Sequence, residues 1–124
     1  MTYAYHGTST ERLGPIRMNG LIPGGYTSYE RYSEYDDGRH LFFTDDPEYA
    51  SRYGDVLLRF VWPTDAKPDQ NMYGRLLSHQ FVTKIPVSAQ QIEVQVGNDW
   101  SPITSLMSVS EVKRLIDTFL NVRI

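Results

Sequence analysis

The sequence predicts an α+β domain, in which a mostly antiparallel sheet is combined with short helices and a C-terminal helix. Short apolar and β-branched runs alternate with short helical patterns, and glycine and proline separate the segments. The last segment has apolar residues at helical spacing. With 124 residues, 40% of them hydrophobic, we expect one domain over residues 1–124 with an ordinary core.

The first half of the chain contains two predicted strands and two predicted helices. In the second helix Asp46 can cap the N-terminus, Pro47 fits the first turn and Gly54 fits the exit. Between the first helix and the second strand, residues 23–38 form a long loop rich in tyrosine and glycine, as in functional or mobile loops. We assign the strands to residues 2–6 and 39–44, and the helices to residues 14–20 and 45–54.

The second half is predicted to contain three strands and the C-terminal helix. Residues 55–62 are mostly apolar, so we expect a central strand covered on both faces, followed by a loop over residues 64–79. Residues 80–85 and 91–96 form the other two strands, and the second of these alternates strictly. Ser108 and Glu111 form a capping box before an apolar stripe that should pack on the sheet: Val112, Leu115, Ile116, Phe119 and Leu120.

The composition excludes several classes of function. The chain has no cysteine, which rules out disulfides, thiolate catalysis and cysteine-based zinc sites. The 12 lysines and arginines against 15 acidic residues leave no basic surplus, so nucleic acid is an unfavoured partner. The N-terminus lacks the features of a signal peptide, and no apolar run approaches the roughly 18 residues of a membrane span. We therefore expect a cytoplasmic protein that does not enter a membrane.

Several short motifs occur in an order that resembles the ADP-ribosyltransferase superfamily, in its His-Tyr-Glu branch. These motifs are Tyr5-His6-Gly7-Thr8, Gly20-Leu21, Leu41-Phe42-Phe43-Thr44-Asp45 and the segment Ala50-Ser51-Arg52-Tyr53. Further segments are similar to the rifamycin ADP-ribosyltransferases, and they extend the resemblance from about Tyr5 to Trp100: Pro23-Gly24-Gly25-Tyr26, Asp37-Gly38-Arg39, Trp62-Pro63-Thr64, Asp69-Gln70-Asn71 and Val96-Gly97-Asn98-Asp99-Trp100.

The resemblance implies an ADP-ribosyltransferase-like split sheet and an enzyme that transfers ADP-ribose from NAD to an acceptor. Nicotinamide leaves, the ribose gains oxocarbenium character, and no metal is needed. The acceptor implied by the narrower resemblance is a hydroxyl of a rifamycin antibiotic, and the wider superfamily also implies a protein target. The tyrosines between Tyr26 and Tyr35 suit either a planar acceptor or a protein surface.

The resemblance also assigns binding roles to individual residues. His6 would hydrogen-bond the ribose of NAD, the backbone of Gly7 would pair with the nicotinamide amide, and Thr8 would shape the turn. Tyr53 takes the position of the aromatic residue that stacks on nicotinamide, with Tyr49 as its alternative. Three of these residues also have a purely structural interpretation. His6 can hydrogen-bond a neighbouring carbonyl, Thr8 can act as a cap, and Tyr53 can simply pack on the sheet.

Two positions depart from the family pattern. Phe42 replaces the usual tyrosine and keeps the stacking plane without the hydroxyl, and Gln80 replaces the usual glutamate and carries no charge. In the rifamycin-modifying enzymes the working carboxylate comes from a segment resembling Pro68-Asp69-Gln70-Asn71. The resemblance therefore makes Asp69 the candidate for stabilising the oxocarbenium ion or orienting the acceptor, with Asp65 as the second choice. Alternatively, Asp69 is a solvated loop residue.

The remaining polar residues near these motifs have weaker assignments. Arg39, His40 and Arg52 can meet the pyrophosphate of NAD, although they are also compatible with ordinary surface charge. His79 receives no role. The alternative function is a binding module for NAD or ADP-ribose, in which Phe42 and Gln80 record a weakened or lost transferase activity.

Overall fold

The computed structural model describes residues 2–24, 33, 35 and 37–106. The predicted C-terminal helix over residues 108–120 and most of the tyrosine-rich loop lie outside the described residues. No helix within the described part of the chain is long and apolar enough to cross a membrane.

Within these described residues, seven strands form one sheet, and every pair of neighbouring strands is antiparallel. The strands are β1 (Tyr3–Thr8), β2 (Leu41–Thr44), β3 (Val56–Val61), β4 (Lys67–Gln70), β5 (Leu76–Thr83), β6 (Glu93–Val96) and β7 (Asp99–Pro102). Their order across the sheet is β4-β5-β2-β1-β3-β6-β7. The predicted α+β class with a mostly antiparallel sheet is confirmed.

The two helices predicted in the first half of the chain form, and both are short. Helix α1 (Leu13–Asn19) follows a 3₁₀ turn at Thr10–Arg12, and Gly20 ends it with a φ of 74°, donating its N–H to the Ile16 carbonyl at 2.7 Å. Helix α2 (Pro47–Ala50) is capped as predicted, because Asp46 accepts the N–H of Glu48 at 2.9 Å. The helix then tightens into a 3₁₀ turn, Ser51–Tyr53. Further 3₁₀ turns lie at Ala89–Gln91 and Ile103–Ser105.

The main core lies against one face of the sheet, called here the core face. Helix α1 and the 3₁₀ turns after β5 and β7 contribute to it, and its buried members are Ala4, Ile16, Leu21, Leu41, Phe43, Leu58, Phe60, Val87, Ala89, Ile92, Val94 and Ile103. Strand β3 is central by its pairing with β1 and β6, but the expectation that it is covered on both faces is wrong. Leu58 and Phe60 are buried, whereas Val61 is 54% exposed.

The opposite face of the sheet, called here the open face, carries an aromatic stack around Arg59. Its guanidinium carbon lies 4.2 Å from the ring centroids of both Tyr3 and Trp100, and its Nε donates to Glu93 at 2.9 Å. Tyr5 packs on Trp100 at a centroid distance of 6.2 Å. We call Arg59, Glu93, Tyr3 and Trp100 the Arg59 stack.

Two strands were not predicted. The expected loop over residues 64–79 contains β4 and the beginning of β5, and β7 follows β6 through a tight turn at Gly97. Strand β4 is a polar edge strand, in which Pro68 is tolerated because an edge strand has one unpaired side. It therefore lacks the apolar alternation by which strands are recognised.

The sheet parts between β1 and β2. Strand β1 pairs with β3 along its whole length, from Tyr3 opposite Val61 to Thr8 opposite Val56. Between β1 and β2, the described register has one pair, Tyr5 opposite Thr44. The two strands therefore diverge toward the end of β1 that contains His6, Gly7 and Thr8.

Candidate functional site

His6 bridges the parting between β1 and β2. Its Nδ1 lies 2.9 Å from the carbonyl oxygen of Phe42, which can only accept, so Nδ1 carries the hydrogen and Nε2 carries the lone pair. Burial lowers the pKa of His6 below its ordinary value; the Phe42 carbonyl acts in the opposite direction, and the charge of Arg12 adds to the lowering. The imidazole is therefore held neutral, in one tautomer.

Gly7 allows α2 and the following 3₁₀ turn to lie directly on β1. A Cβ at position 7 would lie 2.0 Å from the carbonyl oxygen of Ala50 and 3.2 Å from Cβ of Tyr53. On the same side, a Cβ on Gly54 would lie 2.1 Å from the carbonyl oxygen of Thr8. Within this structure, glycine at position 7 serves the packing that places Tyr53 beside β1.

Thr8 ends β1 as a buried residue. Its hydroxyl oxygen has no hydrogen-bond partner within the part of the chain that the structure describes. The described residues therefore do not support the alternative in which the Thr8 hydroxyl acts as a cap.

Gln80 is held by two tyrosine hydroxyls. It lies on β5 opposite Thr44, with Nε2 2.9 Å from the hydroxyl of Tyr53 and 3.2 Å from that of Tyr49. The two rings meet edge to face at 5.6 Å. The other amide atom, Oε1, is buried without a hydrogen-bond partner among the described residues, which costs about 1–3 kcal/mol in a folded protein.

His79 extends this group on the other side of Tyr49. It is the one described residue other than glycine with a positive φ, 61°, and its Nδ1 lies 2.9 Å from Oδ1 of Asp45. Its ring centroid is 5.7 Å from that of Tyr49. We call Gln80, Tyr49, Tyr53, His79 and Asp45 the Gln80 cluster.

The two candidate carboxylates make hydrogen bonds of their own. Asp69 is fully buried on β4, next to β5 where the ladder between the two strands shifts register, and it accepts the hydroxyl of Ser33 at 2.6 Å. Asp65 accepts a short hydrogen bond from the Thr83 hydroxyl and the N–H of Lys84 at 2.8 Å. Burial acts to raise the pKa of Asp65, but these hydrogen bonds outweigh it, and the net shift is downward. Asp69 is not the solvated loop residue of the alternative interpretation.

The three basic candidates for the pyrophosphate lie in different surroundings. His40 is buried, with Nδ1 2.8 Å from Asp37, and its backbone carbonyl accepts the N–H of Gly24 at 3.0 Å. The hydrogen bond from His40 is the main cause that lowers the pKa of Asp37. Arg39 is exposed, and its N–H also donates to Asp37. Arg52 lies over Tyr49 at 5.0 Å, so of the three it is the one that touches the Gln80 cluster.

The register divides the predicted site residues between the two faces of the sheet. Paired residues share a face, so Tyr5, Thr44 and Gln80 lie together on the open face, and by alternation Gly7 and Phe42 belong there too. His6 and Thr8 belong to the core face, where His6 pairs with the buried Leu58. Gly7, Phe42, Tyr49, Tyr53 and Gln80 thus lie on the open face. His6 is connected to this group by its hydrogen bond to the Phe42 carbonyl.

The chain matches no protein-family model, no curated protein and no solved structure. Its function is therefore inferred from its own residues and their geometry.

The sequence pattern missed His79 and Asp45. His79 precedes Gln80, and Asp45 follows the Phe-Phe-Thr strand, so both adjoin residues that the motifs indicated. The pairing of β2 with β5 and the left-handed backbone at His79 bring His79 and Asp45 together. Neither has a signature in a single sequence, although adjacency to Gln80 was a visible signal.

Proposed function

We propose that this domain transfers ADP-ribose from NAD to an acceptor and releases nicotinamide, with NAD held on the open face where β1 and β2 part. The observation that carries the proposal is the amide of Gln80, which two tyrosine hydroxyls fix in place while Oε1 is buried without a hydrogen-bond partner among the described residues.

The fixed amide suits a ribose hydroxyl. An amide oxygen accepts up to two hydrogen bonds, and a ribose hydroxyl is a neutral donor of matching strength. Because tyrosine hydroxyls both donate and accept, turning the amide by 180° would exchange Oε1 with Nε2 and still leave one polar atom unpaired. In either orientation, a ribose hydroxyl can satisfy the remaining atom and recover the free energy that its burial costs.

Aromatic side chains beside the amide suit the nicotinamide ring. Phe42 and Gly7 share the open face with Gln80, and Tyr53 is packed against Gly7. Stacking a planar ring on such side chains contributes about 0.5–1.5 kcal/mol beyond burial. Phe42 supplies the plane without a hydroxyl, so Tyr49 and Tyr53 provide the phenolic groups of this site.

His6 suits the ribose role that the sequence motif implies. Its Nδ1 hydrogen is given to the Phe42 carbonyl, and the lowered pKa favours the neutral imidazole. The proposal brings the ribose to the parting of β1 and β2, where His6 lies. The same hydrogen bond joins β1 to β2 at their parting. His6 thus links the position of the ribose to that of Phe42.

The chemistry expected at this site is slow unless a carboxylate assists it. An oxocarbenium-like ribose is stabilised by a nearby negative charge, and the loss of such a group costs about 10²- to 10³-fold in rate. Gln80 carries no charge, and the hydrogen bonds of Asp69 and Asp65 described above go to Ser33, Thr83 and Lys84. These hydrogen bonds favour a second candidate, a module that binds NAD or ADP-ribose with weak or no turnover.

One experiment separates the two candidates. The protein is incubated with NAD, with and without rifampicin. Nicotinamide release is followed by chromatography, and the mass of the drug is measured by mass spectrometry. The transferase proposal expects nicotinamide release, and a mass gain of one ADP-ribose unit on rifampicin identifies that acceptor. Thermal stabilisation by NAD without any nicotinamide would favour the binding module. An absence of both effects contradicts both candidates.

The assignment of His6 is tested by His6→Ala. We expect weakened NAD binding in calorimetry, because the ribose loses one acceptor, and a retained circular dichroism spectrum. Losing one hydrogen bond of this kind weakens binding by about 0.5–1.5 kcal/mol. His6→Gln is the matched control, since its amide can still donate to the Phe42 carbonyl. Wild-type affinity in the alanine variant would show that the site is misplaced.

A further inference from the structure

We propose that His79, oriented by Asp45, is the general base that takes the proton from the acceptor in this site. The inference rests on the proposed transferase function, and it deepens it by assigning the acceptor side of the reaction. It concerns a residue to which the family pattern gives no role.

The backbone at His79 places two consecutive side chains beside the same tyrosine. Along a regular strand, neighbouring side chains point to opposite faces. At φ 61° His79 breaks that alternation, next to the register shift between β4 and β5. Its ring therefore lies 5.7 Å from the ring of Tyr49, while the Gln80 amide lies 3.2 Å from the hydroxyl of the same residue.

The strained backbone is not explained by the contact that it makes with Asp45. A left-handed conformation is unfavourable for a residue with a Cβ, and such strain concentrates at functional sites. His79 is 50% exposed and Asp45 is 42% exposed, and a polar contact between side chains this exposed contributes little to stability. The geometry thus serves the placement of the imidazole next to Gln80 and Tyr49.

Asp45 gives the imidazole the form that a base requires. The carboxylate accepts the hydrogen of Nδ1 at 2.9 Å, so in the neutral imidazole the lone pair is on Nε2. Asp45 directly follows Thr44, which pairs with Gln80, so the ladder itself places the carboxylate beside His79. Asp45 is a positioning residue in this arrangement.

When the acceptor is a hydroxyl, the reaction forms one bond at the ribose and breaks one. The acceptor oxygen bonds to the anomeric carbon of the ribose, and the bond from that carbon to the nicotinamide nitrogen breaks, with its electron pair going to nicotinamide. The acceptor proton passes to Nε2 of His79 and then to water. No oxidant, reductant or further reactant is required. When water is the acceptor, the products are free ADP-ribose and nicotinamide.

The test measures kcat and KM for nicotinamide release from NAD, with water as the acceptor. We expect His79→Asn to lower kcat by about 10²-fold, as for the loss of a general base, with KM unchanged within about twofold. Asparagine is the informative replacement because it tolerates the left-handed conformation. Asp45→Asn should lower kcat by a smaller factor, of about 10, with the same constancy of KM.

Two further variants separate the imidazole from the backbone. His79→Gly adopts the left-handed conformation without strain and His79→Ala does not. If the imidazole matters, both lose kcat as the asparagine variant does, and added imidazole restores at least about tenfold of the loss in His79→Gly. If only the backbone matters, the glycine and asparagine variants retain the wild-type kcat while the alanine variant loses it.

The outcomes distinguish this inference from the proposed function. A wild-type protein that releases no nicotinamide overturns the transferase and, with it, the role of His79. An active wild type with an equally active His79→Asn overturns the role of His79 alone. Loss of kcat in all three His79 variants without rescue by imidazole also overturns it.

Discussion

Two clusters of aromatic and polar side chains lie on the open face of the sheet, and they differ in how completely their polar groups are satisfied. In the Arg59 stack, the guanidinium lies between Tyr3 and Trp100 and is paired with Glu93. In the Gln80 cluster, one amide atom is buried with no hydrogen-bond partner in the part of the chain that the structure describes, and the neighbouring residue, His79, has a left-handed backbone.

Under the proposed function, the Arg59 stack stabilises the fold and the Gln80 cluster binds the ligand. A satisfied polar network in a partly buried position rigidifies the structure around it. An unpaired buried atom and a strained residue both cost free energy, and the folded protein tolerates them where function requires them. We therefore expect substitutions in the Gln80 cluster to change activity, and substitutions in the Arg59 stack to change stability.

The largest effect is expected from Gln80→Glu. A carboxylate at this position supplies the negative charge that an oxocarbenium-like ribose needs, and both tyrosine hydroxyls can donate to it. Nicotinamide release should rise by about 10²- to 10³-fold, which corresponds to about 3–4 kcal/mol of barrier. The measurement is single-turnover nicotinamide release at saturating NAD.

The control for this substitution is Gln80→Leu, which removes the polar group at similar volume. We expect it to lower NAD affinity without raising turnover. An unchanged rate in Gln80→Glu would mean that position 80 does not face the ribose, and the interpretation of its unpaired oxygen would then fail.

The next largest effect is expected from Gly7→Ala, which tests how the Gln80 cluster is positioned. The new methyl group would meet the Ala50 carbonyl oxygen at 2.0 Å, and the backbone has no flexible side-chain end that could move aside. We expect a loss of about 3 kcal/mol or more in the free energy of unfolding, measured by urea denaturation.

Gly14→Ala is the matched control for the glycine substitution. Position 14 lies in α1 and has no atom within 4 Å of an added Cβ, so alanine should stabilise the protein by about 0.5–1 kcal/mol. Equal effects at the two positions would contradict the close approach of α2 to β1.

The elements that follow hydrophobic periodicity and cap chemistry were predictable from the sequence. The strands at β1, β2 and β3 and the caps at Asp46 and Gly20 are confirmed, because each has a local chemical cause. Strand β4 was not predicted, because a polar edge strand has no apolar alternation. For β7, the Gly97-Asn98 pair was an available turn signal that the strand assignment did not use.

The candidate site was predictable in its residues and not in its arrangement. His6, Phe42 and Gln80 stand out by the motifs around them, but their division between two faces follows from strand register, which depends on long-range pairing. The left-handed conformation of His79 likewise occurs where the register between β4 and β5 shifts, a feature of strand pairing. Local sequence does not encode either property.

The smallest effect is expected from Arg59→Ala, which breaks the satisfied cluster. It removes two cation–π contacts and a partly buried ion pair, so the free energy of unfolding should fall by about 1–2 kcal/mol. Arg59→Lys keeps the charge but loses the flat guanidinium that lies between the two rings, so it should recover only part of this loss. At temperatures where both variants are folded, NAD affinity and nicotinamide release should equal those of the wild type. A variant that is fully folded but has lost NAD binding would show that the Arg59 stack belongs to the ligand site, and the two clusters would then act as one.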